Sequence, residues 1–327
     1  MATTEDHAPT LSVVICAYTE ERWEQLRGAV ESALRQLTAW DELILVIDHN
    51  EALLARCRHA WPDLRAAANT NARGLSGARN RGVACASGDI LVFLDDDAVP
   101  AAGWLDGLRR RYGEDAVVMA VGGAIEPIWA RGRPSWFPEE FDWVVGCTFR
   151  GHASSTRPVR NVIGANMSFR RDVFQAAGRF PEDMGRVRQL PAGCEETELC
   201  IRAHRAYPER TIVHDPAVRV FHHVPDSRSC WRYFVSRCYA EGRSKARLSA
   251  AVGTRDGLAT ERSYAARTLP RGVVRGVADG VLRRDPSGFS RAAAIALGLA
   301  TTATGFGWER LGAAAGATRR PRSASRM

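Results

Sequence analysis

The chain holds a single lysine, Lys245, among 327 residues, so arginine carries nearly all of its positive charge. Codon composition explains such a bias as readily as phosphate recognition does, so the bias selects no partner. Eight cysteines include no CxxC pair and no zinc-finger spacing. That pattern fits reduced thiols and a cytoplasmic setting, where free cysteine behaves as a small hydrophobe. The polar, acidic first nine residues lack the apolar core of a secretory signal. No run reaches the ~20 strongly apolar residues of a spanning helix. The longest uncharged stretch, 292–308, is rich in Ala, Gly and Thr and reads as a packed helix or a membrane-surface element.

What is present is ordinary in bulk: 45% hydrophobic and 25% charged residues, with a net charge of +8. The length calls for one large core or two smaller ones. The charge is unevenly placed, with ten arginines from Arg271 onward against Asp279, Asp285 and Glu309. Strand and helix signals alternate through the first third. Leu11 to Ala17, Leu43 to Ile47, Arg65 to Ala68 and Ile90 to Leu94 read as strands, the apolar ones suited to a buried parallel sheet. Glu21 to Leu37, Ala52 to Ala60 and Gly74 to Ala86 read as the helices between them. This alternation predicts a doubly wound α/β unit, in which ligands bind beyond the carboxyl ends of the strands. Asp48 and Asp95 fall at two such ends.

Further on, Val117 to Gly123 and Asn161 to Phe169 read as strands, separated by a Trp- and Pro-rich loop from Pro127 to Phe149. A helix is expected over Glu195 to Ala206, then short strands at Thr211 to Val213 and Ala217 to Phe221. Past Ser229 the pattern turns helical. The expected organisation is a flexible 1–9, a catalytic unit over 10–228, a helical region over 229–318 and a disordered basic tail over 319–327.

The most informative segment is Ile90-Leu-Val-Phe-Leu-Asp95-Asp96-Asp97. Three carboxylates directly after a buried strand repel one another and resist desolvation. A divalent cation relieves that cost, and hard oxygen donors suit Mn2+ or Mg2+. Such a cation also bridges to a diphosphate and neutralises a departing nucleotide.

With Leu11-Ser-Val-Val-Ile-Cys-Ala-Tyr-Thr-Glu20, Glu42-Leu-Ile-Leu-Val-Ile-Asp48 and Gly74-Leu-Ser-Gly-Ala-Arg-Asn-Arg-Gly82 ahead of this triplet, the chain resembles family 2 glycosyltransferases of the GT-A fold. Gly164-Ala-Asn-Met-Ser-Phe-Arg-Arg171, Cys194-Glu-Glu-Thr-Glu-Leu-Cys200 and Phe221-His-His-Val-Pro225 continue the family's order. The usual Asn after the first-strand Tyr is Thr19 here, and the turn after Asp48 reads His49-Asn50. The resemblance implies that Ala17, Tyr18 and Glu20 line the base and ribose pocket and that Asp48 meets the base edge. It sets Arg79 near the base or diphosphate, Asp95 on ribose with Asp96 beside it, and Asp97 on the metal. Gly164, Ala165 and Asn166 would shape the sugar and acceptor side. His222 or His223 would be a further metal ligand. The family's Glu-Asp pair is Glu195-Glu196 here, and Glu196 aligns with the usual base, with Glu195 beside it.

The implied reaction is inverting transfer of a sugar from a UDP-, dTDP- or GDP-linked donor to a hydroxyl acceptor, either a small molecule or a lipid-linked glycan. A nucleotidyltransferase would bring a Gly-rich phosphate loop with a lysine near the first strand, where this chain has Ala17-Tyr-Thr-Glu-Glu-Arg-Trp23. A non-catalytic nucleotide-sugar-binding protein would not need both acidic clusters. The basic tail lacks the interleaved aromatics of a nucleic-acid binder. The arginine-rich 271–322 region suits peripheral contact with an anionic inner leaflet.

Overall fold

In the computed structural model, residues 8–184 and 193–318 are described. The first apolar run forms β1 (Leu11–Ala17), flanked on one side by β2 (Glu42–Ile47) and β3 (Arg65–Ala68) and on the other by β4 (Ile90–Asp95). These four run parallel. Short β5 (Ala98–Pro100), long β6 (Val118–Trp129), β7 (Arg157–Pro158), β8 (Asn166–Arg170) and β9 (Thr211–Val224) complete a mixed sheet of order β3-β2-β1-β4-β8-β6-β9-β5, with β7 beside β9.

Alternation along the strands sets up two cores. Leu11, Val13 and Ile15 face a layer containing Leu26 and Val30 of α1 (Trp23–Leu34) and Leu53 of α2 (Glu51–Ala60). Val14 and Phe93 face the opposite layer with Ala78 and Cys85 of α3 (Leu75–Cys85). Gly82 lets α3 lie on β1: a Cβ there would fall 2.3 Å from Val14 Cγ1. Phe93 makes edge contacts with Phe169, Phe174 and Phe180, each worth ~0.5–1.5 kcal/mol beyond the area it buries.

The remaining helices are α4 (Trp104–Glu114), α5 (Arg171–Ala176), α6 (Glu195–Ala206), α7 (Trp231–Val252), the short α8 (Thr254–Gly257) and α9 (Ala259–Ser263), then α10 (Leu269–Leu282) and α11 (Ser287–Thr318). The expected helix at Glu195 to Ala206 has the observed bounds. Three expectations differ from the fold. The strand expected at Asn161 is confined to β8, because 161–165 run in loop and turn. Pro127 does not end β6, which continues beside β9 to Trp129. Pro216 does not split β9 either. A bulge between the Asp215 and Arg219 pairings absorbs it, since a bulged residue owes the ladder no amide.

The Trp-rich loop packs as core. Trp136 stacks on Trp231 with centroids 4.0 Å apart, Phe137 is buried, and Trp143 Nε1 donates to Tyr264 Oη. The expected flexible start falls in part on residues 1–7, and the expected basic tail is 319–327; both lie outside the described residues. No helix among the described residues is long and apolar enough to cross a membrane.

Candidate functional site

β1, β2 and β4 end together, and their carboxyl edge opens a cleft lined by Ala17, Tyr18, Asp48 and the acidic triplet. Asp48 is held from three sides: Asn69 Nδ2 and the Gly74 amide donate to its carboxylate at 2.7 and 3.0 Å, and His49 Nδ1 lies 2.8 Å away. One edge of the cleft is thereby a fixed acceptor. Tyr18 is half-buried in the wall, whereas Glu20 is exposed outside the lining.

Asp97 leads directly into β5, where Ala98 pairs with His222 of β9. That pairing sets His222 Nε2 2.9 Å from Asp97 Oδ1, with both side chains buried. The His223 amide instead donates to the Asp97 carbonyl at 2.8 Å. Strand alternation thus decides between the tandem histidines, and His222 faces the acids. Asp95, Asp97 and His222 each offer a ligand atom, all within 4.8 Å of one another. Two carboxylates and an imidazole at this spacing form a donor set suited to a divalent cation.

Cations compensate the buried acids. Arg22 Nη1 lies 2.9 Å from Asp96 Oδ1 and 3.1 Å from Asp97 Oδ2, and Arg228 stands 3.8 Å from the same Asp97 oxygen. Burial alone would raise the Asp97 pKa, but the His222 charge and hydrogen bond, with Arg22 and Arg228, hold it well below the carboxylate range. The same pairing lifts His222 above its ordinary value although burial opposes it. Asp96 is pushed upward, chiefly by burial and despite Arg22, and its Oδ2 is buried with no partner among the described residues.

A second cation joins the triplet to the acidic pair. Arg79, buried on α3, donates to Glu195 Oε1 at 2.8 Å, to Asp95 Oδ1 at 3.3 Å and to the Gly164 carbonyl at 3.1 Å. These contacts set Arg79 behind the acidic triplet, where its donors hold protein groups. Glu195 is buried with Arg79, whereas Glu196 is half-buried and makes no ion pair among the described residues. Its carboxyl pKa is pushed up to about 8, first by desolvation and then by the Glu195 charge. Cys194, just before the pair, adopts φ +79° and ψ +9°. A left-handed non-glycine residue costs on the order of 1–2 kcal/mol and persists where its surroundings dictate it.

Those surroundings come from α7. Ser244 Oγ accepts from the Gly193 amide at 3.3 Å, and Cys194 Sγ lies 3.8 Å from Glu241 Oε1. Arg237, Glu241 and Lys245 form a ladder along the inner face of α7, and Lys245 reaches Glu261 Oε1 at 2.6 Å. The basic aromatic segment from Cys230 to Lys245 therefore supports the turn that presents the acidic pair. Asn166 is likewise internal: it accepts from Trp104 Nε1 and donates to the Ala124 and Val218 carbonyls. Ala165 is buried beside it. Sequence reasoning missed Arg22, Arg228 and Cys147, whose Sγ lies 3.8 Å from His222 Nδ1. A lone arginine in a polar turn carries no periodic signal.

The comparisons agree with this layout. Residues 12–178 match the family model described as glycosyl transferase family 2. A glucosyl-dolichyl phosphate glucuronosyltransferase of Haloferax volcanii is 35% identical over 238 residues, covering 72% of this chain and 76% of that protein. Among solved structures, a mannosyltransferase from Pyrobaculum calidifontis, in complex with GDP-Man and Mn2+, aligns with TM-score 0.56 at 18% identity over 90% of this chain and 87% of that one. GalNAc-T7 with UDP, GalNAc and Mn2+ aligns with TM-score 0.52 at 17% identity over 80% and 57% of the respective chains. At these identities the structural matches speak for the GT-A fold. The family match, spanning the β1 to β4 motifs and the acidic triplet, makes this chain a member of glycosyl transferase family 2.

Proposed function

We propose that the protein transfers a sugar with inversion from a nucleotide-diphosphate sugar to a hydroxyl of a lipid-linked acceptor at a membrane surface. The observation that carries this reading is Arg79, which ties the acidic triplet to Glu195 and so sets donor-side and acceptor-side acids beside one cleft. On this reading Asp48 and Tyr18 receive the base, and Asp95 receives the ribose. Asp97 and His222, with Asp95 adjacent, would hold Mn2+ or Mg2+. When bound, that ion neutralises charge on the leaving diphosphate. Arg22 and Arg228 are the cations paired with Asp97, and their guanidinium groups suit phosphate oxygens.

Glu196 takes the acceptor hydroxyl proton as that oxygen attacks the anomeric carbon. Its raised pKa suits a base that must gain a proton in the transition state, while Glu195, locked to Arg79, fixes the direction from which it works. The lipid-linked acceptor is supported by the relative named for glucosyl-dolichyl phosphate. The test is a panel of UDP-, dTDP- and GDP-sugars with and without MnCl2, incubated with a glycosylated polyprenyl phosphate. Release of nucleoside diphosphate with a glycosylated lipid product is expected. Release of pyrophosphate, or tight donor binding without turnover on any acceptor, would refute it.

A further inference from the structure

The two last helices form an antiparallel hairpin with one side against the protein and one side bare. α11 packs on α7 at very close range: a Cβ at Gly305 would fall 2.1 Å from the Tyr239 carbonyl oxygen, and one at Gly242 would fall 2.0 Å from the Thr302 carbonyl oxygen. Ala294 and Ile295 are fully buried on that inner side. The outer side is equally devoid of charge. Phe289, Ala293, Leu297, Ala300, Thr304 and Trp308 follow one another at helical spacing, all exposed. No charged residue interrupts 292–308 on either side. A helix apolar all round is normally covered all round, and here protein covers half.

The bare stripe continues onto α10. Val274, Val277 and Val281 lie at i, i+3 and i+7 and are exposed, as is Leu282 at 80%. Phe289 joins the two helices, its ring lying where a Cβ on Gly280 would fall 2.5 Å away. From Phe289 to Trp308 the stripe runs about 28 Å at 1.5 Å per residue, yet the helix is not apolar enough to span a bilayer.

Charge chooses the partner. The acids of the hairpin are all committed: Asp279 to Arg283 and Arg291, Asp285 to Arg291, Glu309 to Arg243 and Arg247. Arg271 and Arg284 are exposed and make no ion pair among the described residues. The surplus at the rim is therefore cationic. A second copy would set arginine against arginine, whereas an anionic lipid surface meets both the apolar stripe and its basic rim.

We infer that the outer face of the α10–α11 hairpin docks on an anionic lipid surface, with the α11 axis in the plane of the headgroups. This deepens the proposed membrane location by naming the surface that makes contact, and it rests on the lipid-linked acceptor only for its purpose.

The test is co-sedimentation of the full chain with phosphatidylcholine vesicles and with equal mixtures of phosphatidylcholine and phosphatidylglycerol. Binding to the mixed vesicles is expected, weakening with added salt and on pure phosphatidylcholine. The double variant Leu282→Glu/Trp308→Glu should bind at least about tenfold more weakly, and Trp40→Glu, on an exposed turn after α1, should bind as wild type. All three proteins should show the same thermal stabilisation by nucleotide sugar with MnCl2, which reports on folding and the cleft independently. Wild-type protein left in the supernatant with both vesicle types would overturn the inference, as would undiminished binding by the double variant. So would a dimer in sedimentation equilibrium that the double variant converts to monomer without vesicle binding. Vesicle binding by a protein that recognises no nucleotide sugar would leave the inference standing and remove the proposed reaction.

Discussion

Arg79 Nη1 and Glu195 Oε1 lie 2.8 Å apart, buried, joining α3 to the first turn of α6 across 116 residues of sequence. The pair leaves Glu196 as the accessible member of the two acids. Glu196→Gln should lower kcat by roughly 10²–10⁴, the usual worth of a positioned base, with donor affinity retained by calorimetry.

The pH profile separates base from neighbour. Glu196 with a pKa of about 8 is mostly protonated at neutral pH and cannot accept a proton. The acceptor kcat/KM should therefore rise with pH up to about 8 and level above it. Glu195→Gln removes a charge that raises this pKa, so the limb should move to lower pH. A profile unmoved in that variant would break the assignment.

Metal affinity tests the triad. Asp97→Asn and His222→Ala should each weaken Mn2+ binding by more than the roughly 10–100-fold typical of losing an outer-shell partner, while His223→Ala should not. Arg22 competes with any ion for Asp97. Arg22→Ala should tighten Mn2+ binding to the donor-free protein by about tenfold, in line with the ~1.5 kcal/mol of a charge-assisted hydrogen bond. Isothermal titration of MnCl2 reads both.

The ladder beneath Cys194 should make stability acid-sensitive. Lys245 and Arg160, outweighing burial, depress the Glu261 pKa from 4.5 to about 2. A depressed folded-state pKa gives stability that is complete above the ordinary glutamate range and lost as pH falls through that window. The loss should be on the order of 3 kcal/mol, and Glu261→Gln should flatten this part of the curve. Lys245 carries the only side-chain amine, so its acylation rate offers a direct reading of opening.

The α3–β1 contact predicts a compensating pair. Gly82→Ala should destabilise by about 1–3 kcal/mol through overpacking, and adding Val14→Ala should recover part of that loss in denaturant unfolding.

Much of this was legible beforehand because it rests on periodicity. β1, β2 and β4 are almost wholly apolar runs, and the helices between them carry their stripes at regular spacing. The acids at their ends then follow from where a parallel sheet opens. What was not legible depends on distant partners. Nothing local says that Pro127 lies in a strand, since β9 alone supplies the ladder that carries β6 past it. Nothing local distinguishes Arg79, spent internally on Glu195, from Arg22, poised on Asp97. Nor does spacing reveal that Asn166 gives its whole amide to Trp104 and two carbonyls.

The bulge in β9 has an evolutionary corollary. Beyond it, six successive residues from Arg219 pair in unbroken register with β6, so position along the strand decides which side chain reaches Asp97. Loss of one residue from 219–221 would advance the strand by one place and bring His223 into the slot of His222. The tandem histidine thus gives the position facing Asp97 a spare against single-residue deletion, a tolerance that a solitary histidine would lack.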